Sequence, residues 1–392
     1  VDRISSKLAG WMPRLIGVYR SVRRSRGPEG RLLPAELAAV TRGVRRLSEG
    51  LTRRRHLVGT PYMEDPDLLG AYLLYFWPVS YAQGLHAIGE IGARPRAVLD
   101  LGSGPGPLAM AALDAGASDV MAADRSASAL ELCARVASSA GRAVATRTWD
   151  PLGSDELPGG TQAWSVISVG HALNELWAGE PDRIEKRAAF CRRLLDRLRK
   201  GGSLVLIEPA LQVTTRELLE VRDRLVAQDV PVRAPCLFRG ACPALERPAD
   251  WCHAERAWEP PTVLEEIIQE AGLHKEALKM AYVILGRPGE AWPEAPGGRL
   301  FRIVSEQLPG KSRVRVMGCG GEGRIPLALG DSARTPENQA FLEAQRGDVI
   351  DVAGAEPAQE GPGLRITETT RVRIARRADE PISPRQSSSP LR

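Results

Sequence analysis

Residues 98–106 read Val98-Leu99-Asp100-Leu101-Gly102-Ser103-Gly104-Pro105-Gly106. A short apolar run, Ala97 to Leu101, ends in three glycines at alternate positions, and an Ala/Leu-rich stretch begins at Leu108. Strand, glycine turn and helix in that order make a nucleotide-type cofactor loop. Glycine lets the backbone bend sharply and approach a ligand with no Cβ in the way. A second β-prone run, Asp119 to Ala123, leads to Asp124. It lies roughly 20 residues past the loop, where an acid meets ribose hydroxyls in such folds.

A dinucleotide fingerprint needs its third glycine where Pro107 stands, so Gly-x-Gly-x-x-Gly fails. The run from Asp100 to Gly106 instead resembles motif I of S-adenosylmethionine-dependent methyltransferases. That resemblance implies a class I methyltransferase (Rossmann-like) α/β sheet. It also implies a cofactor-binding set of Asp100, Gly102, Gly104, Gly106 and Asp124. Asp150, after the third predicted strand, is a candidate for the adenine amino group; its plainer role is to cap a loop. A tight turn with no ligand is the competing reading of the glycines.

The chain has 392 residues, enough for two or three domains and a substantial core. No stretch approaches the roughly 18 apolar residues of a membrane span, and no cleavable signal is evident, so no membrane partner is expected. The net charge of +5 hides an asymmetry. Residues 1–60 hold 14 Lys/Arg against 4 Asp/Glu, a balance of +10, which leaves −5 for the remainder. Such a block is an electrostatic footprint for phosphate backbones; the alternative is a solvated helical face. The arginine-rich, acid-poor start also resembles an organellar transit peptide. The expected location is therefore bacterial cytoplasm, or the mitochondrion if the chain is eukaryotic.

The pattern along the chain predicts five units. Residues 1–60 form a basic helical N-terminal region and 61–95 a helical lead-in rich in Tyr, Trp and Leu. Residues 96–290 form the cofactor domain, with strands at 97–101, 119–123, 143–148, 164–169 and 203–208 and helices near 107–115, 126–139 and 180–199. Gly201-Gly202 is read as the break after the last of these helices, and Val263–Ala271 and Ala281–Leu285 as a later helix and strand. A small β-rich domain, a candidate barrel, covers 291–377. A Ser/Pro/Arg-rich tail, 378–392, is expected to be disordered.

Three of the six cysteines fall within seventeen residues, Cys236, Cys242 and Cys252, in a Pro-rich insertion at 231–260. A metal can order such a loop. Cys319, between glycines, is a candidate fourth ligand, and His253 is its alternative. Cys133 and Cys191 sit among apolar residues on predicted helices and read as core. Spacing alone leaves cluster, zinc and disulfides open.

Further motifs carry a family resemblance. They are His171-Ala172-Leu173-Asn174-Glu175-Leu176, Leu206-Ile207-Glu208-Pro209, the cysteine segment ending Asp250-Trp251-Cys252-His253, Cys319 followed by Glu322-Gly323, and Gly347-Asp348. With the glycine loop, these resemble the methyltransferase-like assembly factors of the small ribosomal subunit, over about Tyr72 to Asp348. The resemblance implies a four-iron, four-sulfur cluster on Cys236, Cys242, Cys252 and Cys319, with small-subunit ribosomal RNA as partner and the chain acting as a monomer. Two features depart from the family. Arg346 replaces a frequent Trp, and the stretch after Gly323, read as a loop, is rich in Ala, Gly and Pro rather than basic.

Methyl transfer requires an acceptor in line with the sulfonium and a route for one proton. The place after the fourth strand lacks the Asn/Asp-Pro-Pro-aromatic motif of amino-group enzymes and the cysteine of carbon-5 enzymes. His171, Asn174 and Glu175 are the catalytic candidates; their alternative role is to start a helix. Three functions follow. One is an S-adenosylmethionine- and cluster-containing assembly factor, another an active RNA methyltransferase with a defined target base. The third is a small-molecule methyltransferase with a structural zinc, which the basic N-terminus argues against.

Overall fold

A computed structural model describes residues 3–154, 156–293, 297–359 and 361–380. Its chain opens with helices α1 (Arg3–Arg23), α2 (Pro34–Ser48), α3 (Pro66–Ala71) and α4 (Trp77–Gly89). Alternation follows through β1 (Ala97–Leu101), α5 (Pro107–Asp114), β2 (Asp119–Asp124), α6 (Ala127–Ser139), β3 (Ala145–Thr148), β4 (Trp164–Gly170), α7 (Arg183–Asp196), β5 (Leu198–Glu208) and α8 (Gln212–Val226). The first domain closes with β6 (Val232–Ala234), β7 (Ala254–Ala257), α9 (Thr262–Glu270) and β8 (Ala277–Leu285).

The strand order is β3-β2-β1-β4-β5-β8-β6, with β7 also pairing β8. Strands β1 to β5 are parallel, while β8 runs antiparallel to β5, β6 and β7. A doubly wound dinucleotide sheet carries its strands in the order 3-2-1-4-5-6. Here the antiparallel β8 is slotted between β5 and β6, which makes this the α/β, Rossmann-like sheet of class I methyltransferases. Alternation along the strands explains the layering. Val98, Val205 and Ile207 enter one core cluster, while Leu99, Leu101, Leu204 and Leu206 enter a second on the opposite face. Both faces are covered, as parallel strands require.

The N-terminal helices belong to the first of these cores. Leu8, Trp11, Met12, Leu15, Ile16 and Tyr19 of α1 are buried in the same cluster as Tyr81, Met110 and Val136. Trp11 donates its indole N–H to Asp114 at 2.9 Å, and that carboxylate also accepts from the Tyr81 hydroxyl. The arginine-rich start thus contributes a helix to the core. No helix among the described residues is long and apolar enough to cross a membrane.

The second domain forms from β9 (Leu300–Ile303), β10 (Leu308–Gly310), β11 (Arg313–Gly320), β12 (Gly323–Gly330), α10 (Ala340–Glu343), β13 (Val349–Ala353), β14 (Glu356–Pro357), β15 (Leu364–Ile366) and β16 (Arg371–Arg376). Its order, β14-β15-β12-β11-β9-β13-β16, ends at β14 and β16, so among the described residues the ladder does not close into the expected barrel. The segment after Gly323, expected as a loop, is strand β12, whose Leu327 and Leu329 fill this domain's own core. Gly201-Gly202 lies inside β5, beside a shift in register against β4, and α7 ends earlier, at Asp196. Glycine there permits the irregularity in a strand. Of the tail expected to be disordered, 381–392 lies outside the described residues.

Candidate functional site

The glycine turn follows β1 and opens α5. Gly102 has φ +64°, and a Cβ there would lie 2.5 Å from the Ala172 Cβ; Gly106 has φ +80° and sits against the Cys133 sulfur. The first glycine lets the loop pass close beneath the segment after β4, and the second lets α6 approach.

Asp124, at the end of β2, latches this turn. Its Oδ2 accepts from the Gly104 N–H and its Oδ1 from the Ser126 N–H, both at 2.8 Å. Burial pushes this carboxyl up while those two N–H groups pull it down. A carboxylate has about four acceptor sites, so lone pairs remain for a ligand. Asp100 takes a different position. It is 1 % exposed and accepts from Ser168 Oγ at 2.7 Å and Ala109 N at 3.1 Å, so it braces the loop from below.

Gly102, Asp124, Asp150, His171 and Glu175 line one cleft of about 590 Å³. Gly104, Gly106, Asp100 and Asn174 do not line it. Tyr72, Arg125 and Trp149 also line the cleft, and a further wall comes from residues 59–64. Sequence reasoning missed this wall because it lies about forty residues before the glycines and bears no local motif. Arg125 donates to the carbonyls of Gly59 and Thr60 at 3.1 and 2.6 Å, and Glu64 accepts from Ser126 and Ser128 at 2.6 and 2.8 Å. The segment is therefore strapped across the cofactor loop. Asp150 caps the turn after β3 by accepting the Leu152 N–H at 2.9 Å, while still facing the cleft.

The three catalytic candidates separate. His171 adopts φ +59°, bonds Gln83 Oε1 through Nε2 at 2.7 Å, and is pushed down to about 4, chiefly by burial. It is a neutral imidazole at neutral pH. Glu175 accepts from Gly59 N at 3.1 Å and Tyr62 OH at 3.4 Å, and burial pushes it up to about 7. Asn174 turns away into a buried network. Its amide donates to Glu208 Oε2 at 2.6 Å and its Oδ1 accepts from Arg55 at 2.8 Å. Its backbone carbonyl takes Arg187 at 2.8 Å. Every one of its polar atoms already has a protein partner.

The second candidate site lies between the domains. Cys236, Cys242, Cys252 and Cys319 line one cavity of about 70 Å³, and all six cysteines are unpaired thiols. Cys133 and Cys191 are buried elsewhere. Burial and the neighbouring thiols push the Cys242 thiol up to about 12. His253 also lines the cavity, but both ring nitrogens are engaged: Nε2 with Glu255 at 2.8 Å and Nδ1 with Arg346 at 3.3 Å. No group of three or more His, Cys, Asp or Glu among the described residues is arranged to hold a single metal ion. The donor set sharing this cavity is nonetheless four soft sulfurs, which suits thiophilic iron or zinc. Around it the Nε atoms of Arg256, Arg302, Arg324 and Arg346 are buried with no hydrogen-bond partner. An anionic group between the thiols would fit such donors.

The basic N-terminal footprint is smaller than the count suggests. Arg20 is buried on Glu36 at 2.6 Å, Arg23 pairs with Asp67, Arg45 bonds helix-end carbonyls, and Arg55 holds Asn174. Arg24, Arg26, Arg31, Arg42 and Arg53 remain exposed.

Among known proteins, the family model described as mitochondrial small ribosomal subunit Rsm22 matches residues 70–329. No curated protein matches the chain. Similar solved structures include a ribosomal protein L11 methylase from Lactobacillus delbrueckii subsp. bulgaricus, at 14% identity and TM-score 0.32, covering 52% of this chain and 77% of that one. A methyltransferase from Pyrococcus furiosus is 12% identical at TM-score 0.35, with coverage of 53% and 82%. A TehB-like SAM-dependent methyltransferase from Corynebacterium glutamicum is 15% identical at TM-score 0.31, with coverage of 52% and 86%.

Proposed function

Because the chain belongs to the family described as mitochondrial small ribosomal subunit Rsm22, we propose that it is a methyltransferase-like factor that binds S-adenosylmethionine and acts on small-subunit ribosomal RNA. The observation that carries the cofactor reading is the single cleft joining Gly102, Asp124 and Asp150 to His171 and Glu175. Asp124 would take the ribose hydroxyls and Asp150 the adenine amino group, with Gly102 giving the amino-acid end a close backbone approach. When bound, the sulfonium supplies an electrophilic methyl carbon. Glu175 is a candidate to take the acceptor's proton near neutral pH, since burial raises its carboxyl to about 7. His171, held neutral by burial, orients Gln83 and the turn after β4.

Cys236, Cys242, Cys252 and Cys319 would hold a [4Fe-4S] cluster, supported by four thiols in one cavity walled by unpartnered arginine N–H groups. Bound there, it ties the cysteine insertion to the C-terminal sheet and supplies folding energy to a Pro-rich loop.

Titration calorimetry with S-adenosylmethionine and its demethylated product tests the cofactor, and a chain that binds neither has lost this reading. Anaerobic purification with iron, zinc and sulfide analysis tests the cluster; one zinc with no sulfide would replace it. Transfer of a labelled methyl group to small-subunit RNA would add enzymatic activity to binding.

A further inference from the structure

The C-terminal ladder sets an arginine on each side of Cys319. Strand β11 runs antiparallel to both β9 and β12, and Cys319 is the direct partner of Arg302 on one and of Arg324 on the other. Directly opposed residues in antiparallel strands project from the same face with Cβ atoms roughly 4.5–5.5 Å apart. All three side chains line the thiol cavity, with Arg256 and Arg346.

Fixed positive charge in this wall exceeds the negative. Arg302, Arg256 and Arg376 share the single carboxylate of Glu90, at 3.2, 3.5 and 3.0 Å. Arg346 shares Glu255 with Lys279 and His253. Arg324 leaves two buried nitrogens without a hydrogen-bond partner. Its Nη1 lies 3.4 Å from Asp250 without hydrogen-bond geometry, and its Nε is also buried without a partner. Leaving the N–H groups of a charged side chain buried and unmet is costly, because their hydration is lost with nothing in return. Unmet donors recur around this one cavity, on Arg256, Arg302, Arg324 and Arg346.

We propose that Arg324, seconded by Arg302, is the counter-charge and sulfur hydrogen-bond donor of the group held at Cys319, and that it raises that group's reduction potential. The proposal rests on the cluster reading above. A cluster on four thiolates is anionic, and reduction makes it more so. A fixed cation one strand away, donating N–H to sulfur, therefore stabilises the reduced form more than the oxidised one. Arg302 is tied to Glu90 and to the joint between the domains, so Arg324 is the cleaner probe.

The test uses the full chain, purified anaerobically as wild type, Arg324→Gln and Arg324→Lys. Iron and sulfide are assayed, and the cluster is titrated with a redox mediator set followed by paramagnetic resonance. Arg324→Gln should keep iron and sulfide while its reduced-to-oxidised ratio at a fixed potential falls about tenfold, equivalent to roughly 59 mV for one electron. Arg324→Lys should fall less, because it keeps the charge and loses the fork. An unchanged potential in a fully loaded Arg324→Gln overturns the proposal. Should Arg324→Gln lose its iron while folded, Arg324→Lys decides. Retention there assigns the role to charge, whereas loss in both reduces Arg324 to packing and overturns it. Wild-type protein with zinc and no sulfide removes the cluster reading itself, a separate and distinguishable failure.

Discussion

At Gly102 the backbone and the proposed ligand make the same demand. Its φ of +64° costs an L side chain roughly 1–2 kcal/mol, and a Cβ would meet Ala172 at 2.5 Å. Gly102→Val should therefore abolish S-adenosylmethionine binding in calorimetry and lower the urea midpoint. Gly104 differs. A Cβ there meets only the terminal methyl of Met63 at 3.1 Å, the flexible end of a side chain. Gly104→Ala, despite its φ of +52°, should lose less affinity than Gly102→Val. Equal losses would mean that the ligand, rather than Ala172, sets the requirement at both positions. The glycine turn and the acid that latches it were legible in sequence because a turn of this kind needs those residue types at those spacings. Asn174 was less legible. Its type suits a catalytic amide or a cap, and only the positions of Glu208, Arg55 and Arg187 show that its polar atoms are already satisfied.

Helix α1 shows what composition conceals at the scale of an element. Its arginines dominate a charge count, yet its Leu, Trp and Ile face is what places it in the core. Deleting residues 1–60 would therefore uncover that core and report on folding instead of RNA contact. A surface substitution asks the narrower question. Changing Arg24, Arg26, Arg31, Arg42 and Arg53 together to Gln should leave the melting temperature within a few degrees, because all five are exposed. Each of them that meets a phosphate should flatten the slope of log affinity against log salt by about 0.7–0.9. A slope unchanged for small-subunit RNA would leave these arginines a solvated face. Strands β1 to β5 and the end of β8 were readable as apolar, β-prone runs, whereas the short β6 and β7 were missed, and so was β12. Gly323, Pro326 and Gly330 give it the composition of a loop, and it is a strand because β11 and β15 pair it on both sides.

Glu90 decides how the two domains sit as one molecule. It closes α4, and it meets Arg256 from β7, Arg302 from β9 and Arg376 from β16, so three guanidiniums from both domains converge on one buried carboxylate. Burial alone would raise its pKa, but the three arginines overcome that and hold it down at about 2. A carboxylate depressed in the folded state contributes stability above its unfolded pKa, near 4.5, and loses that contribution as pH falls toward the folded value. The wild-type chain should accordingly be destabilised between about pH 4.5 and pH 2 in part through this joint. Glu90→Gln keeps the shape, removes the charge and leaves three arginines uncompensated. Breaking a buried pair in this way costs about 3–5 kcal/mol. The variant should melt in two steps or release the C-terminal domain to limited proteolysis at pH 7, and its acid sensitivity over that window should shrink relative to wild type. A single unshifted melt would place the docking energy instead in the contacts around the four cysteines, which stand beside the same arginines. Repeating the melt on anaerobic and metal-stripped protein then separates the two. Loss of the bound group should loosen Glu90→Gln further than it loosens wild type, because each of the two anions then compensates the arginines that the other leaves unmet.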